Sequence, residues 1–91
     1  MTMTEAEYVE YLQAEQRRYA WVMRRYGGLL LTESWAAALD WYRYEPPEKQ
    51  YRWLVFHDEA WHWAMSVIHG DRYTVDHPDL VDPPAEYRAL D

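Results

Sequence analysis

Apolar side chains recur along the first third of the chain at steps of mostly three and four residues. On a helix of 3.6 residues per turn these positions form one stripe, and its members are Tyr8, Leu12, Tyr19, Val22, Met23 and Tyr26. Thr4 and Glu7 precede the stripe at the spacing of a capping box, which satisfies free backbone N–H groups at a helix start. Gly27 and Gly28 follow it and are typical of a helix end. The pattern therefore predicts a first helix from about Glu5 to Tyr26.

A second amphipathic pattern follows Thr32, a residue type favoured as a helix N-cap. The stretch TESWAAALDWYRY places four apolar side chains at positions i, i+3, i+4 and i+7, namely Trp35, Ala38, Leu39 and Tyr42. Pro46 and Pro47 then stop the helix, because proline has no backbone N–H and restricts the residue before it. We therefore predict a second amphipathic helix with those four side chains on one stripe.

Between residues 47 and 69, it is the polar positions that recur with the spacing of one helix face. They recur at steps of 3, 7, 3, 4 and 3 residues, as Lys49, Arg52, Glu59, His62, Ser66 and His69. This drift predicts one helix over 47–69, closed by Gly70 and apolar around most of its circumference, as in a central helix. An alternative stays open, because YRWLVF at 51–56 is rich in aromatic and β-branched residues and suits a strand, with Asp58 capping a shorter helix.

After Gly70 the chain becomes rich in aspartate and proline, which predicts mostly extended or turn-forming structure. Asp82 is suited to an N-cap and Pro83 to the first helical turn, so a last short helix is expected to end near Leu90. Tyr87 and Leu90 lie three residues apart and would dock this helix onto the body.

Together these patterns predict a single globular domain over residues 1–91 that is mainly α, with three principal helices and a short C-terminal helix. The helix of 47–69 is expected at the centre, and 71–91 is expected to be an acidic, proline-rich segment docked on the helical body. A strand at 51–56 would make the class α+β instead.

Charge changes the picture of the surface. The net charge is −7, and residues 27–91 carry twelve acidic and five basic side chains, whereas the first 26 residues are balanced. An acidic surface repels nucleic-acid phosphates and anionic membranes, so we expect direct binding of neither. It attracts basic protein surfaces, and we expect a protein partner of that kind.

Several classes of chemistry lack their usual signals. The chain has no cysteine and three glycines, each of which follows a predicted helix, so neither a thiolate site nor a glycine-rich phosphate loop is indicated. Ser34 and Ser66 stand outside any nucleophile-elbow pattern. The N-terminal stretch is acidic, and no apolar run approaches the roughly 18 residues of a membrane span. We therefore expect a soluble, cytoplasmic protein that is not an enzyme and needs no cofactor.

A metal site is the alternative that the stretch HDEAWH at 57–62 raises. On a helix, Asp58, Glu59 and His62 lie within about one turn, so that their side chains can converge. Glu-x-x-His is also the half-motif of di-metal helical bundles, but this chain has one copy of it. A complete site would therefore need His77 or His69 in addition.

The aromatic residues carry the leading functional hypothesis. Trp61 shares its register with Leu54, Met65 and Ile68 and is expected in the core. Sixteen aromatic side chains are many for so small a core, and exposed tryptophan and tyrosine are typical anchors of protein interfaces. The predicted contact residues combine aromatics off the main stripes with acids of the tail: Trp41, Tyr44, Trp53, Trp63, Asp71, Asp76, Asp79 and Asp82.

The leading hypothesis is thus a non-catalytic acidic protein-binding module. It would act as a small inhibitor or immunity-type protein that blocks a basic surface of a partner, for example a nucleic-acid-binding groove. Two alternatives remain: a metal-binding helical protein that uses Asp58, Glu59, His62 and His77, and a structural subunit that self-associates through its aromatic surface.

Overall fold

The computed structural model describes residues 3–90, which form helices and turns and contain no strand. The longer helices are α1 (Glu5–Arg25), α2 (Leu31–Trp41) and α3 (Ala60–His69). Two short helices follow, α4 (Tyr73–Asp76) and α5 (Ala85–Arg88), and 3₁₀ helices occupy Arg52–His57 and Pro78–Leu80. The predicted mainly α class, with three longer helices and a short C-terminal one, is confirmed.

Local signals define both ends of α1. The Thr4 hydroxyl accepts the Glu7 N–H at 3.1 Å, and the Glu7 carboxylate accepts the Thr4 N–H at 2.8 Å, which confirms the capping box. At the other end, Gly28 has a φ of +73°, a left-handed conformation that favours glycine. A Cβ on Gly27 would lie 2.6 Å from the Met23 carbonyl oxygen, so a side chain there would force the backbone to shift.

The central helix is α1, and the prediction that the helix of 47–69 takes this position is wrong. α1 packs against α2, α3 and α5. Five members of its predicted stripe are buried, and Tyr26 is half-buried. Its 21 residues are long enough to contact all three partners, whereas α3 has only 10.

The second helix begins one residue before the predicted cap. Leu30 is the N-cap, and its backbone N–H donates to Glu33 Oε1 at 2.9 Å, so Thr32 lies inside the helix. Its buried face is also different. The small residues Ser34 and Ala38 face inward with Tyr42, while Trp35 and Leu39 are exposed. Small side chains allow two helix backbones to approach closely, and this packing overrides the apolar stripe.

The single helix predicted over 47–69 is wrong. Residues 58 and 59 adopt extended backbone, with ψ of 159° and 157°, and separate the 3₁₀ helix from α3. Asp58 Oδ1 accepts the Glu59 N–H at 2.9 Å, a local bond that competes with helical pairing. The alternative is half right: 51–56 is not a strand, but the shorter helix exists, with Glu59 rather than Asp58 as its N-cap.

The segment after α3 contains more helical structure than predicted. Asp82 does not cap α5, because α5 begins at Ala85 after an extended Pro84. Helical geometry is disfavoured before a proline, which keeps Pro83 outside the helix. Tyr87 is buried and Leu90 packs partly buried against the core, which confirms the predicted docking.

Candidate functional site

Three aromatic side chains stand exposed on the segment that follows α2 and runs into the first residues of the 3₁₀ helix of 52–57. Tyr44, Tyr51 and Trp53 are 51%, 56% and 51% exposed, and we call them the aromatic surface. The Tyr51 and Trp53 rings meet edge to face with their centroids 6.1 Å apart. Within residues 3–90, neither the Tyr51 hydroxyl nor the Trp53 indole N–H forms a hydrogen bond, so both remain open to a partner.

Arg52 holds this segment against α1. Its guanidinium lies 3.8 Å from the centre of the Tyr8 ring and donates to Glu5 Oε1 at 2.7 Å and to the Glu45 carbonyl at 3.0 Å. The Arg52 side chain is charged but only 11% exposed. Because Arg52 points inward between two outward rings, Tyr51 and Trp53 are presented by a backbone that is already fixed.

Glu5 joins the parts of this anchor. Its second oxygen accepts the Tyr44 hydroxyl at 2.5 Å, so one carboxylate binds both Arg52 and Tyr44. These hydrogen bonds, the one from Arg52 first, hold the pKa of Glu5 below its ordinary value. Tyr8 contributes from the same helix, because its hydroxyl accepts the Glu45 N–H at 3.1 Å.

Tyr51 itself has an unusual backbone. Its φ of 61° and ψ of 30° are left-handed, and it is the one non-glycine residue with positive φ in the described part of the chain. This conformation costs a residue with a side chain about 1 to 2 kcal/mol. Such strain is often found where function requires a particular presentation of side chains, and the Tyr51 ring is 56% exposed.

A cleft opens beside Trp53. It measures about 270 Å³ and is mostly apolar, and Tyr8, Tyr11, Trp53 and Phe56 line it together with Met3, Arg52 and His57. Tyr11, Phe56 and His57 also line a second, polar cavity of about 410 Å³. The wall contributed by α1 consists of Tyr8, Tyr11, Glu15 and Arg18, whose steps of three and four residues place them on one face of the helix.

The polar cavity borders the N-terminus of α3, whose free backbone N–H groups are satisfied from other helices. The Ala60 N–H donates to Glu15 Oε2 at 2.8 Å, and the Trp61 N–H donates to the Tyr87 hydroxyl at 3.1 Å. Glu15 is 4% exposed and also binds Arg18 at 2.9 Å. Burial raises the pKa of Tyr87 to about 12, so its hydroxyl stays protonated at neutral pH. We call Glu15, Trp61 and Tyr87 the cap cluster.

Within residues 3–90, the predicted metal ligands do not come together as a set. Glu59 pairs with Arg88 at 2.7 Å and lies 4.0 Å from His62, whose Nδ1 is hydrogen-bonded to the Tyr73 hydroxyl. His77 instead packs on His69, with ring centroids 4.2 Å apart. Across residues 3–90, no three histidine, aspartate or glutamate side chains are grouped so that they hold one metal ion.

The remaining predicted contact residues lie on other elements than the aromatic surface. Trp41 is exposed and packs on Trp63, with ring centroids 5.4 Å apart. The indole of Trp63 is half-buried and donates to the Val55 carbonyl at 3.0 Å. The four tail aspartates are exposed on the segment after α3, whereas the aromatic surface is built on the N-terminal part of α1. They are Asp71, Asp76, Asp79 and Asp82.

Sequence reasoning missed three contributors to these surfaces. The left-handed backbone of Tyr51 has no signal in the sequence of the kind that glycine or asparagine provides. Glu15 is buried, but its position in the sequence resembles that of the exposed glutamates of the same helix and gives no signal of burial. The exposed apolar face of α2, formed by Leu31, Trp35 and Leu39, was hidden because Trp35 and Leu39 were assigned to the helix's apolar stripe.

Comparisons with protein-family models, with curated proteins and with solved structures find no match to this chain. Among the helices of residues 3–90, none is both long and apolar enough to cross a membrane. At the candidate site, fixed aromatic rings offer apolar contact area next to a mostly apolar cleft.

Proposed function

We propose that this chain is a non-catalytic protein-binding module and that its aromatic surface contacts the partner. One observation carries the proposal: Arg52 fixes the segment from beneath, while Tyr51 and Trp53 on either side of it are more than half exposed. Large aromatic rings that are already held in place bind with little further loss of conformational freedom.

The charge of the surface supports a basic partner. Four of the five basic side chains between residues 27 and 90 form ion pairs within the chain, namely Arg43, Lys49, Arg52 and Arg88. The acidic excess of this part of the chain is therefore left to carboxylates, many of them exposed. In this proposal the acids speed association and the aromatic rings provide affinity, and the module blocks a basic surface as a small inhibitor or immunity-type protein does.

The test is capture of a partner from a lysate of the organism that encodes the chain, with cross-linking, nuclease treatment and mass spectrometry. Wild type is compared with Trp53→Ala and with Tyr51→Asn, since asparagine tolerates the left-handed backbone. Trp35→Ala is the matched control, because Trp35 is also an exposed tryptophan but lies on α2. Circular dichroism and urea unfolding verify that each variant is folded.

We expect one basic partner whose recovery falls at least tenfold with Trp53→Ala and falls with moderate salt, but is unchanged with Trp35→Ala. A loss of about 1.4 kcal/mol in binding free energy corresponds to that factor. The proposal fails if no partner is captured at low salt, or if the Trp35 and Trp53 variants lose the partner equally.

Self-association is a second candidate, and the exposed face of α2 supports it. Leu31, Trp35 and Leu39 follow one another at steps of four residues and are all exposed. A second copy of the chain would cover this face in a two-fold dimer. Sedimentation velocity at micromolar concentration tests the idea: a dimer that Trp35→Ala dissociates supports it, and a monomeric wild type excludes it at that concentration.

A further inference from the structure

Two neighbouring cavities lie along α1, and together we call them the groove. They share Tyr11, Phe56 and His57, and the remaining walls differ in character: the first is mostly apolar, whereas the second contains carboxylates and arginines. We call them the apolar half and the polar half of the groove. The apolar half, at about 270 Å³, is slightly smaller than the roughly 300 Å³ at which pockets for small molecules begin. It therefore suits one apolar side chain of a larger partner.

The charges of the polar half do not cancel. Glu15 pairs with Arg18 at 2.9 Å and Glu59 pairs with Arg88 at 2.7 Å, so two carboxylates and two arginines balance each other. Asp58 is half-buried in the same wall, and in residues 3–90 its carboxylate has no arginine or lysine within ion-pair distance. With His57 of the same wall counted as neutral, the described residues leave one negative charge of the polar half for a cation from a partner.

We propose that the groove binds a segment of the partner in which an apolar side chain lies beside a lysine or arginine. The apolar side chain enters between Tyr8, Trp53 and Phe56, and the cation pairs with Asp58. This inference rests on the proposed function and adds the local chemistry that the partner must present. A segment with an acidic side chain at the second position is rejected, because it would meet Asp58 in a partly desolvated site.

The experiment uses the full chain, labelled with ¹⁵N, and short acetylated and amidated peptides as probes. One pool contains phenylalanine and lysine separated by glycine spacers of different length. In matched pools, glutamate replaces lysine or alanine replaces phenylalanine. Each pool is titrated to millimolar concentration while the backbone signals of the groove and the indole N–H signal of Trp53 are followed by NMR.

We expect the phenylalanine and lysine pool to shift these signals and to bind about fivefold more tightly than the glutamate pool, as a single partly exposed ion pair provides. Asp58→Asn should abolish this discrimination while it retains the shape of the side chain. Asp79→Asn, the same change at an exposed tail position, should leave it intact. Trp53→Ala should weaken both pools alike.

Two results overturn the inference: signals that no pool shifts, or discrimination that survives Asp58→Asn. Both are distinguishable from failure of the proposed function. If the captured partner still depends on Trp53 but the peptides do not discriminate, the module binds through its aromatic surface without this groove chemistry. If capture does not depend on Trp53, the proposed function itself is wrong.

Discussion

The cap cluster and the aromatic surface use aromatic side chains in opposite ways. Trp61 is fully buried, its indole N–H donates to the Leu80 carbonyl at 2.8 Å, and its backbone N–H donates to Tyr87. Trp53 is half exposed, and within the described chain its indole forms no hydrogen bond. A tryptophan whose polar group is satisfied inside the protein contributes to stability, whereas one that leaves it open retains binding capacity.

The two regions also differ in what fixes them. The cap cluster joins α1, α3 and α5 through groups that are removed from water, and Tyr42 adds its hydroxyl to Glu15 at 3.4 Å. The aromatic surface depends instead on the contacts of Arg52 and Tyr44 with Glu5, which lies in solvent. A substitution in the cap cluster should therefore lower the stability of the whole fold. A substitution in the aromatic surface should change only the segment that carries it.

The largest contrast is expected between two tryptophan truncations. Trp61→Ala removes a fully buried indole and should lower the free energy of unfolding by about 3 to 5 kcal/mol. Trp53→Ala should lower it by about 1 kcal/mol or less, because half of the side chain already contacts water. Equilibrium urea unfolding measures both, and Trp61→Phe provides a milder variant if the alanine variant does not fold. Equal losses for the two alanine variants would contradict the comparison.

A smaller effect is expected from Glu15→Ala. This change leaves the buried Ala60 N–H without its acceptor and should cost about 1 to 3 kcal/mol. Glu15→Gln keeps an oxygen acceptor and should cost less than the alanine variant. Glu10→Ala is the control, since Glu10 is an exposed carboxylate on the same helix. If Glu10→Ala and Glu15→Ala destabilise the fold equally, the hydrogen bonds of the cap cluster do not hold α1, α3 and α5 together.

The smallest effect concerns the aromatic surface and its dependence on pH. Because the pKa of Glu5 is lowered in the folded protein, its stabilising contacts are fully present above the ordinary glutamate pKa of 4.5. They are lost as the pH falls through the lower folded value. Glu5→Gln should therefore lose less stability than wild type between about pH 5 and pH 3 in urea unfolding. If the variant loses more free energy of unfolding than wild type over this pH range, the Glu5 contacts do not stabilise the folded protein as described.

The structure agrees best with the sequence-based predictions where these rest on signals between neighbouring residues. Two local signals define the ends of α1: the capping box of Thr4 and Glu7 at its start and the glycines Gly27 and Gly28 at its end. Each signal acts between residues that are close in sequence. The burial of Trp61 also follows from its four-residue spacing to Met65 within α3, whereas Leu54, predicted in the same register, lies in the separate 3₁₀ helix and is 50% exposed. At these positions, the face of the side chain's own helix and the hydrophobic effect are enough to explain its burial.

The candidate site depended on contacts that no local pattern contains. The break before α3 is stabilised by Glu15, 45 residues away along the chain, and the inward position of Arg52 requires Glu5, 47 residues away. A 3.6-residue period describes residues 47–69 as one helix because it takes no account of either partner. Likewise, packing on α1 placed Ser34 inward beside the predicted Ala38 and left Trp35 and Leu39 exposed.

The sequence by itself thus determined the helical class, the first helix and most of the buried aromatic residues, because spacing and capping act within a few residues. The tertiary structure alone decided where the chain breaks, which aromatic rings face solvent and which carboxylate of the groove lacks a cation. These outcomes depend on hydrogen bonds, ion pairs and close packing between segments that are distant in sequence. Such contacts are not encoded in the periodicity of polar and apolar residues.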